Sequence, residues 1–193
     1  MKRNSLVTMI ASLFALAATA APYKLDTAHT DVGFSIQHLM ISNVKGAFKD
    51  FSGSFDFDEA KGEVKKISVE IKAASIDTRN GKRDDHLRSA DFFDVEKHPV
   101  ITFKADAVKV KEKKAEKIKG MLTMHGVSKE VTLDLTYSGK NPDPMGTMHM
   151  GFELKGKINR KDFGLAWNKA LEKGGVVVGE EVMLDISGEV VPQ

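Results

Sequence analysis

Apolar and polar residues alternate along most of the chain from Tyr23 onward. The clearest run sets Ile67, Val69, Ile71 and Ala73 against Lys66, Ser68, Glu70 and Lys72. That period predicts a half-buried strand with one wet face. The same alternation recurs at Val32/Phe34/Ile36, Phe51/Gly53/Phe55/Phe57, Ile101/Phe103/Ala105 and Ile118/Gly120/Leu122/Met124. It continues at Val131/Leu133/Leu135/Tyr137, Met148/Met150/Phe152/Leu154 and Val182/Leu184/Ile186. About eight strands are expected, most of them joined by short turn-like segments such as Asp58–Gly62, Lys111–Lys114 and the Gly139–Pro144 corner.

Short links between long alternating strands imply antiparallel neighbours. Strands that are apolar on one face stack as a sandwich or close into a barrel, and long strands favour closure because it removes both exposed edges. Val64 to Ile76, taken as one strand, would span roughly 43 Å at about 3.3 Å per residue. The expected fold is therefore all-β: an eight-stranded antiparallel up-and-down barrel with short helix and loop caps at one end. In that topology the two long links, Asp77–His98 and about Arg160–Val178, fall at the same end. Long connections in a compact domain usually carry function, so this end is taken as the portal. The first link should hold a short helix, Asp84–Ala90, followed by Phe92-Phe93; the second holds the only tryptophan, Trp167, and the Gly174-Gly175 pair.

The inward stripes are apolar, and an apolar lumen cannot stabilise an isolated charge. Either the core is filled, or it is a cavity for a long apolar molecule, helped by small residues (Gly53, Ala105, Gly120) and pliable methionines. Candidate ligand-binding residues are Phe34, Ile36 and His38 on the first strand, Phe55 on the second, and Val69 and Ile71 on the third. Phe103, Leu122, Met124, Leu133 and Leu135 follow on strands four to six. Met148, Met150, Phe152 and Leu184 complete the set on the last two. At the portal, Arg79, Arg83, His86, Phe92, Phe93, Arg160 and Trp167 are candidates for meeting a head group. A solvated face, its cations neutralised by Asp84, Asp85, Asp91 and Asp94, is the favoured reading of the same charges.

Residues 1–20 have the order of an export signal. Lys2 and Arg3 are followed by an uncharged apolar stretch from Leu6 to Ala18 and a small-x-small site at Ala18-Thr19-Ala20. Cleavage after Ala20 would leave a single domain over 21–193 in the periplasm. No later segment approaches a membrane span, so stable membrane insertion is not expected. The chain has 193 residues and no cysteine, which excludes a disulfide framework, a zinc ribbon and a thiol nucleophile. Of 29 Lys and Arg, Lys2 and Arg3 belong to the signal; the remaining 27 balance 27 Asp and Glu. Such neutrality argues against nucleic acid as a partner.

Catalytic patterns are weak. There is no P-loop, no Gly-x-Ser-x-Gly and no His-Glu-x-x-His, so no cofactor and no catalytic residue is assigned. Asp26, His29 and Asp31 lie close in sequence, as do Asp84, Asp85 and His86. The runs Met121–His125 and Met145–Met150 have the residue types of thioether and imidazole copper ligands. Strand geometry opposes that use, because Met148 and Met150 share one face and His149 the other.

Ordered pieces along the whole mature chain resemble the YceI family of exported proteins. They include Asp26–Thr30, Val32–His38, Gly46–Phe48, Phe51–Phe55 and Ile76–Asn80. Arg83–Leu87, Asp91–Asp94, His98–Phe103, Gly120–Val127 and Ile158–Gly164 follow. The resemblance implies a lipocalin-like barrel, a periplasmic home and an elongated pocket for a polyisoprenoid or similar long-chain amphiphile. The Gly-x-Trp of true lipocalins is missing near the first strand, so that likeness is architectural. The leading expectation is a non-catalytic carrier of an isoprenoid or fatty amphiphile. Alternatives are a copper-handling protein using the Met/His runs, or an enzyme acting on a lipid head group at the barrel mouth. A homodimer is left open.

Overall fold

Alternating stripes become the staves of a closed sheet. The computed structural model describes residues 20–172 and 174–193, so the expected export signal falls, apart from Ala20, outside the described residues. Ten strands run β1 (Ala21–His38), β2 (Ser42–Phe48), β3 (Phe51–Asp58), β4 (Glu63–Lys72), β5 (Ile76–Asp77) and β6 (Val100–Lys109). They continue with β7 (Ala115–Met124), β8 (Val127–Pro142), β9 (Met148–Asn159) and β10 (Val178–Pro192). The order β10-β9-β8-β7-β6-β4-β3-β1 closes through pairing of β10 with β1. All these ladders are antiparallel, and the barrel has eight staves as the alternation predicts.

Two staves are broken. β2 and β3 are successive halves of one, pairing with the second and first halves of β1 (Val32↔Phe48 to His38↔Ser42; Ala21↔Phe57 to Lys24↔Ser54). β5 continues β4 after a 3-10 turn at Ala73–Ser75 and pairs with β2. The single strand expected over Val64–Ile76 therefore ends at Lys72. There the Lys72 N–H donates to Asp50 O at 2.9 Å and the Ala73 N–H to Pro99 O at 2.9 Å, drawing the backbone out of the ladder. A bulge also interrupts β4: Lys66 adopts φ 51° and the register shifts between Ser54 and Asp56. Val64 and Ile67, three apart, consequently both face the core.

The link from β5 to β6 carries α1, Gly81–Arg88, rather than the expected Asp84–Ala90. Asn80 caps it by accepting the Arg83 N–H at 3.1 Å, which moves the start to Gly81. The link from β9 to β10 opens with a 3-10 turn, Arg160–Phe163. Both long links lie at one end of the barrel, with the Leu39–Ile41 hairpin tip and the His125-Gly126 turn, as the topology requires. The opposite end, the base, carries the short links and the C-terminal end of β10.

The interior divides by height. At the base a solid cluster is built on Phe57, Val108, Val110, Ile118, Met150 and Val190. Tyr23 stacks on Phe55 there (5.9 Å, 9°), and Tyr137 and Tyr23 flank Phe57. Under the cap a second cluster joins Ala73, Phe92, Ile101, Met124, Ile158, Phe163 and Leu165.

Candidate functional site

Between the two clusters the barrel is hollow. A cavity of about 370 Å³ occupies the capped half, within the roughly 300–1,000 Å³ typical of small-molecule sites. Its wall is made by inward residues of β1, β2, β4 and β6–β10, including Phe34, Ile36, Val69, Ile71, Phe103, Leu122, Met124, Leu133, Phe152 and Leu184. Several of these inward side chains are only half-buried, because the space they face is unfilled. His38 also lines the cavity, at the top of β1.

Four of the expected ligand-binding residues lie elsewhere. Phe55, Leu135 and Met150 point inward but belong to the solid base, where stacked aromatic rings fill the bore. Met148 sits half-buried at the base end of β9, off the cavity. Alternation fixes which face a residue occupies, not its height along the stave, and height separates lining from filling.

The cap is bolted together by rings. His86 of α1 stands perpendicular to Phe92 (5.1 Å) and to Trp167 of the second long link (5.0 Å), and Phe92 meets Trp167 at 5.2 Å. His86 Nε2 lies 2.8 Å from Asp91 Oδ2. Phe93 packs edge-on to Phe48 at 5.8 Å. His86, Phe92, Phe93 and Trp167 all line the cavity.

The charged portal candidates part company. Arg79 is exposed with φ 62°, its N–H donating to Asp77 Oδ1 at 2.7 Å, and it does not reach the cavity. Arg83 lines the cavity but is spent on Thr78, donating Nε–H to Oγ1 (2.7 Å) and Nη2–H to the carbonyl (2.8 Å). Thr78 in turn donates its N–H (2.9 Å) and hydroxyl (2.5 Å) to the buried Asp84. Arg160, only 3% exposed, donates to the carbonyls of Gly179 (2.8 Å), Leu165 and Val178 (3.5 Å). Burial lowers its pKa, opposed by the nearby Glu180, and carbonyl dipoles rather than a contacting carboxylate satisfy the charge. Arg83 and Arg160 pin the cap loops; their hydrogen bonds run sideways to Thr78 and to backbone carbonyls.

Other wall residues were not among the sequence candidates. Val131, Leu154, Val182, Ile101 and Ile186 lie on the recognised stripes and follow from extending each stripe to its full length. Phe48 and Val44 lie on β2, whose Gly46 breaks the apolar pattern; a Cβ there would meet Phe34 Cζ at 2.5 Å. Leu87, Leu165 and Val177 come from cap segments with no period to mark them.

The two Met/His runs finish at opposite ends. His125 stands by the cap, its Nδ1 3.1 Å from Phe163 O and its ring 4.7 Å from that of His98. His149 sits near the base, 2.7 Å from Glu189. Met124 and Met150 are core residues, while Met121 and Met145 are exposed. The sulfurs and imidazoles therefore do not converge.

A closed antiparallel eight-stave barrel, plugged at one end and hollow beneath a ring-bolted cap at the other, defines a lipocalin-like fold. The chain belongs to the YceI-like domain family, whose family model matches residues 23–190. It is 43% identical over 197 residues to Protein YceI of Salmonella newport, covering the whole of both chains. A crystal structure of the Campylobacter jejuni YCEI protein, 42% identical, superposes with a TM-score of 0.67 over 88% of this chain and 96% of that one. A polyisoprenoid binding domain from Saccharophagus degradans, 18% identical, shares the fold with a TM-score of 0.63 over 90% of this chain and 99% of that one.

Proposed function

We propose that the protein is a periplasmic, non-catalytic carrier that holds a long-chain polyisoprenoid or similar amphiphilic lipid in the capped half of its barrel. The observation that carries this reading is the cavity: about 370 Å³, walled by aliphatic and aromatic side chains and plugged at the base. Its polar lining residues are few, chiefly Thr30, Gln37, His38, Thr78, Arg83, His86 and Arg160, and most of these sit at the capped end. An apolar chain lies toward the base and a head group beneath the cap. Each buried methylene contributes about 0.8 kcal/mol, so a dozen supply about 10 kcal/mol without any polar contact. Selection then acts on width and length more than on chemical detail.

The Saccharophagus neighbour is described as a polyisoprenoid binding domain, which supports an isoprenoid guest. The export-type segment over 1–20 supports the periplasm. An enzymatic role gains little from the geometry, since His86 is clamped by two aromatic rings and Asp91. Native mass spectrometry of protein released from the periplasm tests the carrier. A bound species of lipid mass is expected. Ligand-free protein that also ignores added prenyl lipids overturns it.

A further inference from the structure

Two histidines and three carboxylates meet on the outer wall near the base. β1 leaves its ladder with β10 after Asp26↔Glu189 and rejoins at Asp31↔Ser187, and residues 27–29 of this excursion are exposed. The Thr30 hydroxyl replaces the missing ladder bonds, donating to Glu189 O and accepting the Glu189 N–H, both at 3.3 Å. The bulge needs a glycine opposite it, for a Cβ on Gly188 would lie 2.2 Å from Thr30 Oγ1. This excursion carries His29 back over Asp26, with Nδ1 2.8 Å from Asp26 Oδ2.

From β9, His149 enters the same group. Its Nδ1 is 2.7 Å from Glu189 Oε2 and 3.9 Å from Asp26 Oδ2, and its ring centroid is 6.3 Å from that of His29. Its other nitrogen, Nε2, faces Asp143 Oδ2 at 3.5 Å. Asp143 is itself fixed, because its Oδ1 accepts the N–H groups of Met145 (2.8 Å) and Thr147 (2.9 Å).

We propose that Asp26, His29, His149 and Glu189 form a zinc-binding site, with Asp143 orienting His149. The donor set is two imidazole nitrogens and two carboxylate oxygens, which suits tetrahedral Zn²⁺ and lacks the thioethers that would favour Cu⁺. The ligand atoms of Asp26, His29 and Glu189 already lie within 4.8 Å of one another. His149 lies outside that group of three, though its Nδ1 is 2.7 Å from Glu189 Oε2; ligands around a tetrahedral zinc stand about 3.4 Å apart, so the two imidazoles must turn toward one another to close the site. His29, with 63% of its side chain exposed, is free to do so. A carboxylate on the far nitrogen of a ligating histidine fixes its tautomer and raises its basicity, which is the relation of Asp143 to His149. A second His/Asp group, Asp94 with His98 and His125 at the cap, is less free: Lys97 holds Asp94 at 2.9 Å and the Phe163 carbonyl takes His125 Nδ1. The proposed site lies apart from the lipid cavity and does not depend on it.

Calorimetric titration of chelator-treated protein with zinc chloride near neutral pH should show one equivalent bound per chain. His29→Ala and His149→Ala should each weaken binding by about tenfold or more, Asp143→Asn by about tenfold, and His125→Ala should leave it unchanged. Imidazole NMR signals of the unaltered protein provide a check that needs no variant: His29 and His149 should move on zinc addition while His98 and His125 stay put. No saturable binding up to about 1 mM zinc overturns the site. So does binding that survives loss of both His29 and His149, or shifts confined to His98 and His125.

Discussion

The indole of Trp167 stands at right angles to the imidazole of His86, with ring centroids 5.0 Å apart. These residues belong to two links separated in the chain by β6 to β9, so their contact, shared with Phe92, ties the two halves of the cap. Trp167 is the only tryptophan and lines the cavity, which makes its emission a direct report on occupancy. Addition of a prenyl lipid should shift that emission. Phe92→Ala removes a ring that is 6% exposed and should cost about 3 kcal/mol. Stopped-flow fluorescence should show ligand release at least about tenfold faster in this variant. Equal release rates would mean that the cap does not govern exit.

Phe152 and Val182 face the cavity from neighbouring staves. Phe152→Arg places a cation in a wall with no partner for it and should abolish lipid loading. Val182→Phe adds bulk into space that is already there. Loading should fall while thermal stability changes by no more than about 1 kcal/mol. Normal loading by both variants would locate the ligand elsewhere.

Arg160 holds the Leu165 carbonyl of the second cap link and the Val178 and Gly179 carbonyls at the start of β10. Arg160→Met leaves those acceptors without their donor and should destabilise the protein by about 3 kcal/mol, a fall of roughly 6–12 °C in Tm. Arg160→Lys should recover only part of this, because one ammonium cannot span the fork. Calorimetric melting curves decide the matter.

Asp58 is 4% exposed at the end of β3. The Lys61 ammonium, 3.0 Å away, and the Lys61 N–H, 3.1 Å away, hold its carboxyl below the ordinary value of 3.8. A carboxyl depressed in the folded state stabilises at pH above its unfolded value, and that contribution disappears as pH falls through the folded one. Stability should therefore drop below about pH 4. Asp58→Asn, which keeps an acceptor for the Lys61 N–H, should flatten this acid limb in Tm measured against pH. An unaltered limb would assign it to other carboxylates.

Much of the fold was legible because period two is a strong code. Ile67/Val69/Ile71 and Val182/Leu184/Ile186 could only be staves, and the placement of both long links at one end followed from topology. The break at Lys72 was not visible, since Ala73 continues the alternation and only the tertiary bonds to Asp50 and Pro99 end the strand. Within the site, Phe103 and Leu184 were found by facing inward; Phe55 and Met150 face inward equally but fill the base. Nothing in a stripe encodes that difference, because it depends on which rings from other staves arrive at the same height. Arg79 and Arg83 are equally basic in sequence, and only the Thr78–Asp84 network separates one from the other.

The stacked rings of Tyr23 and Phe55, with Phe57 beside them, turn the barrel from a tube into a flask. A guest longer than the hollow cannot thread onward through the far side, so whatever exceeds its depth must protrude past the stopper. For the proposed carrier, loading and discharge would then share one route, and two guests could not be exchanged in passing. In that role a new occupant would have to wait for the old one to leave.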